Sequence, residues 1–264
     1  MKNQEILDAH PPCDPIQIWN TLQLIPGLNL YRYVVDIDDF QNYLKKARYP
    51  RSYRNTFGEL FIEKALEHYT SIELMGHNDQ GISIDIASST SPYHAIISNF
   101  YSCKSYHQDL IYPPGIHDLM VGGNATDLPF EDHSISRMTL HCSIEHFEND
   151  EDSKFIVEAI QKLTIGGKLF IAPLYLAEVY YNCTEADLKV NDVIFDRGAK
   201  ILPISGWNNR FGRTYDVGAF QNRVLAYCKG VDVSMYFVEN VKDVCSKCYL
   251  KFIFILEKTN NRND

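Results

Sequence analysis

No stretch of the 264-residue chain approaches the roughly 18 consecutive apolar residues of a membrane-spanning helix, so none is expected. Residues 1–24 have no apolar core segment and are broken by Pro11, Pro12 and Pro15, which argues against a secretory signal. Basic residues are in deficit: 25 Lys and Arg stand against 34 Asp and Glu, a formal charge of −9. Such a chain has no electrostatic footprint for a nucleic-acid backbone. The seven cysteines are odd in number and five are scattered singly, the pattern of a reduced, cytoplasmic protein. Cys245 and Cys248 form a lone CxxC without a second pair or a nearby His, so we expect a turn there and no metal. Repeats and low-complexity segments are missing too. These absences leave a small-molecule partner as the expectation, with neither nucleic acid nor membrane.

What is there is α/β patterning. A composition of 45% hydrophobic and 22% charged residues suits one large domain, or one domain with an appendage. Residues 1–26 read as an extended lead-in. The acidic run 36–39 opens a helix on which Phe40, Tyr43, Leu44 and Ala47 recur at helical spacing, with Lys45, Lys46 and Arg48 in its last turn and Pro50 ending it. A longer helix is expected over 57–75, where Leu60, Phe61, Lys64, Leu66 and Tyr69 alternate faces, with Gly76 and Asn78 closing it. The tyrosines before it (31, 33, 43, 49 and 53) could cover a ligand or pack amphipathically. Strands are expected at 81–87, 103–110, 119–122, 136–140 and 168–173, with helices at 93–100 and 150–163 between them. A long excursion over 175–217 follows; such segments are usually functional or mobile. Within it Arg210 and Arg213, near Tyr215, could hold a carboxylate or phosphate in a bidentate fork, or lie solvated on the surface. A helix at 219–227, antiparallel strands at 231–237 and 249–257 and a frayed polar tail at 258–264 complete the chain.

The stretch 123–147, GNATDLPFEDHSISRMTLHCSIEHF, organises the rest. A glycine pair and Leu-Pro-Phe lead into an alternating strand (Ile135, Met138, Leu140) that ends on His141, Cys142, Glu145 and His146. Open α/β sheets keep their chemistry at such strand ends. A metal held by His141, Glu145 and His146 is conceivable at this spacing, but no further ligand accompanies them. The stretch resembles the central segment of class I S-adenosylmethionine (SAM)-dependent methyltransferases, where GDA-x-x-LPF precedes a strand and a Glu-His pair. Asn124 stands where that family usually has Asp. Residues 164–171, TIGGKLFI, resemble its LKPGGxLxI. The family's strand–Asp–GxGxG motif sets Asp85 at the acidic position and Ala87, Ser89 and Ser91 at the glycines. All three glycines are missing. Glycine there permits positive φ and close approach of a ligand to the backbone; any other residue at positive φ costs about 1–2 kcal/mol. Ala and Ser are the smallest substitutes, and serine hydroxyls can bond the polar tail of SAM.

The resemblance covers 81–173. It implies an α/β, doubly wound, Rossmann-like sheet of seven mostly parallel strands with the last reversed. It further implies an N-terminal extension and helical cap over 1–76, a SAM-binding domain over 77–264 and a substrate lid over 175–217. The cofactor would be SAM, lined by Asp85, Ala87, Ser89, Asp109, Asn124 and Ala125. Asp109, 24 residues after Asp85, also has the βαβ spacing of a ribose-binding carboxylate. Asn124 would meet the adenine through its amide, and Ala125 through its backbone. His141 would sit beside the reactive methyl group as a base, although methyl transfer can proceed by positioning alone. The implied function is methyl transfer to an O or N atom of a small metabolite, an anionic one if Arg210, Arg213 and Tyr215 hold it. The alternative is a catalytically silent binding module that kept the fold.

Overall fold

Asp14 caps the first described helix. Its carboxylate accepts the amide hydrogens of Ile16 and Gln17, and Pro15 at the first helical position suits that start, so helix α1 (Pro15–Leu22) forms where an extended lead-in was expected. The structure is a computed structural model that describes residues 11, 13–76, 81–187 and 192–260. Expectations placed on 1–10, Pro12, Asn78, 188–191 and 261–264 lie outside the described residues.

Strand β1 (Leu28–Tyr33) and helices α2 (Ile37–Lys46), α3 (Arg51–Phe57) and α4 (Phe61–Met75) follow. Asp36 caps α2 through the Asp39 amide, and Lys45 and Lys46 complement its C-terminal dipole. Next come β2 (Ile82–Ile86), α5 (Tyr93–Phe100), β3 (Lys104–His117), β4 (Met120–Gly122), β5 (Ile135–His141), α6 (Glu151–Lys162) and β6 (Leu163–Ala172). The 175–217 excursion carries β7 (Tyr181–Glu185), β8 (Lys200–Ile204) and β9 (Gly212–Thr214), a small sheet in the order β8-β7-β9. Helix α7 (Val217–Arg223), β10 (Val231–Val238), α8 (Val241–Val244) and β11 (Phe252–Lys258) complete the described chain. The lone CxxC falls in a tight turn after α8, with the Cys248 amide on the Cys245 carbonyl.

The main sheet runs β1-β10-β11-β6-β5-β2-β3-β4, and β11 is antiparallel to both neighbours. The doubly wound sheet with a reversed last strand is as expected, with one strand more. Leu28–Tyr33 pairs in parallel with β10, from Leu28 opposite Val233 to Tyr33 opposite Val238. Strand β3 runs on past Asp109 and folds back, so that Ile116 and His117 also meet Val121 and Met120. Gly122 allows that return: a Cβ there would lie 1.9 Å from the Pro113 carbonyl oxygen.

Each face of the sheet has its own core. Ile18, Trp19 and Leu22 of α1, Phe155 and Ile156 of α6 and Phe220 of α7 cover one face. Phe40, Tyr43, Leu66, Tyr69, Ile96 and Ile97 of α2, α4 and α5 cover the other. Central strands buried on both faces read as continuous apolar runs, as Leu169, Phe170, Ile171 and Ala172 do. Truncating one such aromatic, Phe170 or Phe254, to Ala costs about 3–5 kcal/mol. No described helix is long and apolar enough to cross a membrane.

Candidate active site

The strand order reverses between β2 and β5, whose C-terminal ends leave a crevice where open α/β sheets bind ligands. The loop after β2 carries the missing glycines. Ala87 and Ser89 nonetheless adopt left-handed backbone, with φ of 50° and 47°. The loop thus holds the conformation that glycine would give, at about 1–2 kcal/mol for each residue. Cys142, directly after β5, is left-handed as well (φ 54°), so strain gathers around one crevice.

Contacts with β3 keep the loop in place. Gln108 accepts the Ala87 amide on Oε1 at 3.1 Å and donates from Nε2 to the Gly123 carbonyl at 2.6 Å, stitching the loops after β2 and β4 together. Its own carbonyl takes the Ser88 amide at 2.9 Å and the Ser88 hydroxyl at 3.2 Å. Asp109 accepts the Ser89 amide on Oδ2 at 2.7 Å and the Ile111 amide on Oδ1 at 3.1 Å. The Tyr112 hydroxyl closes on the Ser89 carbonyl. Ser91 Oγ accepts the Tyr93 amide at the start of α5. The hydroxyls of Ser88 and Ser91 are therefore held against β3 and α5, and the crevice beside them stays open.

Two cavities of about 320 Å³ each flank this loop and share Ala87 and His146 in their walls. That volume is at the lower end for small-molecule sites, and through the shared walls the two adjoin as arms of one cleft. Ala87, Gln108, Asp109, Leu110, Asn124, Ala125 and Glu151 line the first. Asn124 is tied at both ends of its amide, donating to Glu151 Oε2 at 2.7 Å and accepting the Thr126 amide at 3.1 Å.

The second cavity is walled by the loop after β2, the end of β5, the 175–217 excursion and, above all, α4. Lys64, Glu67, His68 and Ser71 follow one another at helical spacing and form a buried polar stripe. Lys64 Nζ pairs with Glu67 Oε1 at 2.7 Å and lies over the Tyr249 ring. The other Glu67 oxygen has no hydrogen-bond partner among the described residues, nor does Glu145 Oε2. Burial pushes Glu67 up to about 8 against the opposing pull of Lys64. Burial also holds His68 well below its usual value, helped by His141 and Lys64, so its imidazole is neutral. Tyr43 and Tyr49 share a hydrogen bond of 2.7 Å, and Tyr49 reaches His68 Nδ1 at 2.8 Å. Burial raises the Cys142 thiol to about 12, which keeps it un-ionised beside the Tyr175 hydroxyl, 3.1 Å away.

His141 enters this cavity from β5. Its Nδ1 lies 2.9 Å from Asp85 Oδ1, which also accepts the Thr139 hydroxyl at 2.8 Å. An acceptor there puts the imidazole proton on Nδ1 and leaves Nε2 as the basic nitrogen. Nε2 is buried and has no partner among the described residues.

The structure thus brings together Ala87, Asp109, Asn124 and Ala125 in one cavity, and Ala87, Ser89 and His141 in the other. Asp85 lines neither; it lies behind His141 and orients it. The expected trio on the excursion does not form a ligand grip. Arg213 is buried, with Nε and a terminal nitrogen on Asp196 at 2.8 and 3.0 Å and further bonds to the Phe147 and Asn149 carbonyls. Tyr215 is buried with its hydroxyl on Asp152 at 2.8 Å. Both fasten the excursion to the segment after β5, which corrects the reading of them as substrate ligands. Arg210 is exposed and spends its fork on Glu148, at 2.5 and 2.9 Å. The excursion reaches the cavity instead through Trp207 and Asn209, the Trp207 ring lying where a Cβ on Gly212 would stand. Lys64, Glu67, His68, Gln108, Tyr175 and Tyr249 escaped the sequence reading. The signal for the first three was a stripe of polar residues too regular for a helix counted only by its apolar face.

No protein-family model matches the chain, and no curated protein matches it. Solved structures match in fold. A chain from the complex between the Haloferax volcanii Trm112 methyltransferase activator and a protein described as a methyltransferase aligns with a TM-score of 0.51 at 9% identity. That match covers 87% of this chain and 100% of that one. The Burkholderia thailandensis 1,6-didemethyltoxoflavin-N1-methyltransferase, solved with 1,6-didemethyltoxoflavin and S-adenosylhomocysteine, also gives 0.51, at 12% identity over 95% of this chain and 92% of that one. The architecture is therefore the class I SAM-dependent methyltransferase fold. At these identities the likeness is one of fold.

Proposed function

We propose that the protein is a SAM-dependent methyltransferase that acts on an N or O atom of a small molecule. One observation carries the reading: the two-armed cleft, with the Asp109 carboxylate in the wall of its first arm and His141, whose Nε2 has no partner among the described residues, in the wall of its second. The glycine-free loop fits the cofactor because it keeps the left-handed backbone and its serine hydroxyls are held elsewhere. Asp109, with each oxygen taking one amide, has lone pairs left for a ribose diol. Asn124, Ala125 and Glu151 would border the adenine. Ala87 and Ser89 would border the methionine portion. When bound, SAM supplies an activated methyl group on its sulfonium.

The residues of the second arm then act on the acceptor. The aromatic walls and the excursion exclude water and hold the acceptor in line with the methyl group, which lowers the barrier chiefly through positioning. His141 Nε2 takes the proton that the acceptor loses, and Asp85 steadies the imidazole as it gains charge. Calorimetric titration with SAM and with S-adenosylhomocysteine tests the reading. Micromolar binding of either supports it. No heat from either at millimolar ligand leaves a binding module that shares only the architecture.

A further inference from the structure

We propose that the acceptor is an amine, held by the unpartnered carboxylate oxygens of Glu67 and Glu145 between aromatic walls in the second arm of the cleft. The inference rests on the methyltransferase reading for its chemistry and on the cavity alone for its ligand class. Glu67 and Glu145 are at most 4% exposed, both line the cavity, and each has one oxygen without a donor. A buried carboxylate oxygen left without a donor carries its full desolvation cost. A ligand that brings N–H donors removes that cost; an anion adds to it. Lys64, the cation in this wall, is already spent on the other oxygen of Glu67. His68 is held neutral by burial, and His146 donates from Nδ1 to the Phe211 carbonyl at 2.7 Å. The arginines that would have suited an anion are tied to Glu148, Asp152 and Asp196. Aromatic side chains complete the walls, among them Tyr53, Phe57 and Trp207, and such rings favour a cation or its flat substituent.

An alkylammonium that enters this arm must shed a proton before it can react. His141 Nε2, which has no partner among the described residues, is the group that can receive it. The free nitrogen's lone pair then forms the bond to the methyl carbon as the carbon–sulfur bond breaks, with the bonding pair leaving on sulfur. A sulfonium and an amine become a thioether and a methylated amine, with one proton released.

Benzylamine and 2-phenylethylamine are the probes, with phenylacetate and 2-phenylethanol as matched controls, titrated into the full chain with and without saturating S-adenosylhomocysteine. The proposal expects the amines to bind at least tenfold more tightly than either control, and Glu145→Gln to weaken them at least tenfold. Because Glu67→Gln strands Lys64 and could unfold the chain, the Lys64→Met/Glu67→Gln double variant is measured beside it, with the same loss expected. If S-adenosylhomocysteine binds and phenylacetate outcompetes the amines, the amine assignment is overturned while the methyltransferase reading stands. If the amines bind but neither SAM nor its product does, the cavity assignment stands and the methyltransferase reading fails. If the amines bind the Glu145→Gln and double variants as well as the parent, the two carboxylates are not the site.

Discussion

His141 Nδ1 lies 2.9 Å from Asp85 Oδ1, so a buried carboxylate sets which nitrogen of the imidazole carries the proton. Asp85→Asn offers an amide in place of an acceptor and turns the tautomer around, so that Nε2 carries the proton. With an accepted substrate, kcat should fall about 10²–10⁴-fold. The affinity for S-adenosylhomocysteine, measured by calorimetry, should stay within about twofold because Asp85 does not line either cavity. An unchanged kcat would remove His141 from the chemistry.

Asp109 joins the loop after β2 to β3 and borders the first arm. Asp109→Ala should weaken S-adenosylhomocysteine by about 1.5–3 kcal/mol if the carboxylate bonds the ribose. An affinity equal to that of the parent chain in the same titration would refute the assignment.

The left-handed Ala87 and Ser89 predict an unusual direction for a glycine substitution. Glycine normally destabilises by widening the unfolded ensemble, by about 0.4–1 kcal/mol. At φ of 47° it also removes a penalty of about 1–2 kcal/mol. Ser89→Gly should therefore raise stability by up to about 1 kcal/mol in urea denaturation. A loss of more than that would mean the loop is not strained.

Arg213 is the test of the buried ion cluster. Its removal takes one of the two cations that Asp152 and Asp196 share and leaves only the less buried Arg223 reaching both. Arg213→Met should cost about 3–5 kcal/mol of unfolding free energy, the usual scale for breaking a buried pair. A near-neutral result with weakened ligand binding would restore Arg213 as a substrate residue.

Stability should also fall with pH on account of Glu67. Its carboxyl is raised in the folded chain to about 8, against an ordinary value of 4.5. The folded state therefore holds the proton more tightly, and this group's contribution is full below about 4.5 and lost as the pH rises towards 8. The scale is a few kcal/mol, of order 1.4 for each unit. Lys64, Glu63, Glu145, Tyr53, Tyr249 and Cys142 surround the group, and of these Lys64 opposes the shift. Melting temperatures between pH 5 and 8 should decline less steeply in the Lys64→Met/Glu67→Gln variant than in the parent. Parallel curves would contradict a raised Glu67.

The sequence made the fold legible where local signals repeat: apolar strands, acidic helix starts and the turn at Gly166-Gly167. It also marked Asp109, Asn124 and His141, because each stands at or near the end of a strand pattern that can be recognised by itself. Strand β1 was not legible, since LNLYRY is short and its partner β10 lies some 200 residues away. The stripe on α4 escaped for a related reason. Nothing in the local sequence sets Glu67 and His68 apart until β5, the loop after β2 and Tyr249 are brought against them. Arg213 and Tyr215 misled in the opposite sense, because side chains suited to gripping an anion are equally suited to a buried cluster with Asp152 and Asp196.

Because the polar wall of the second arm is borne largely on one continuous helix, while Asp109, Asn124 and Ala125 hang from strands on the opposite flank, the two halves of the cleft can be varied separately. Rewriting positions 64, 67 and 68 changes the second arm without touching the residues that line the first. A descendant of this chain can change its clientele by editing three residues of helix and leave the rest of the scaffold as it stands.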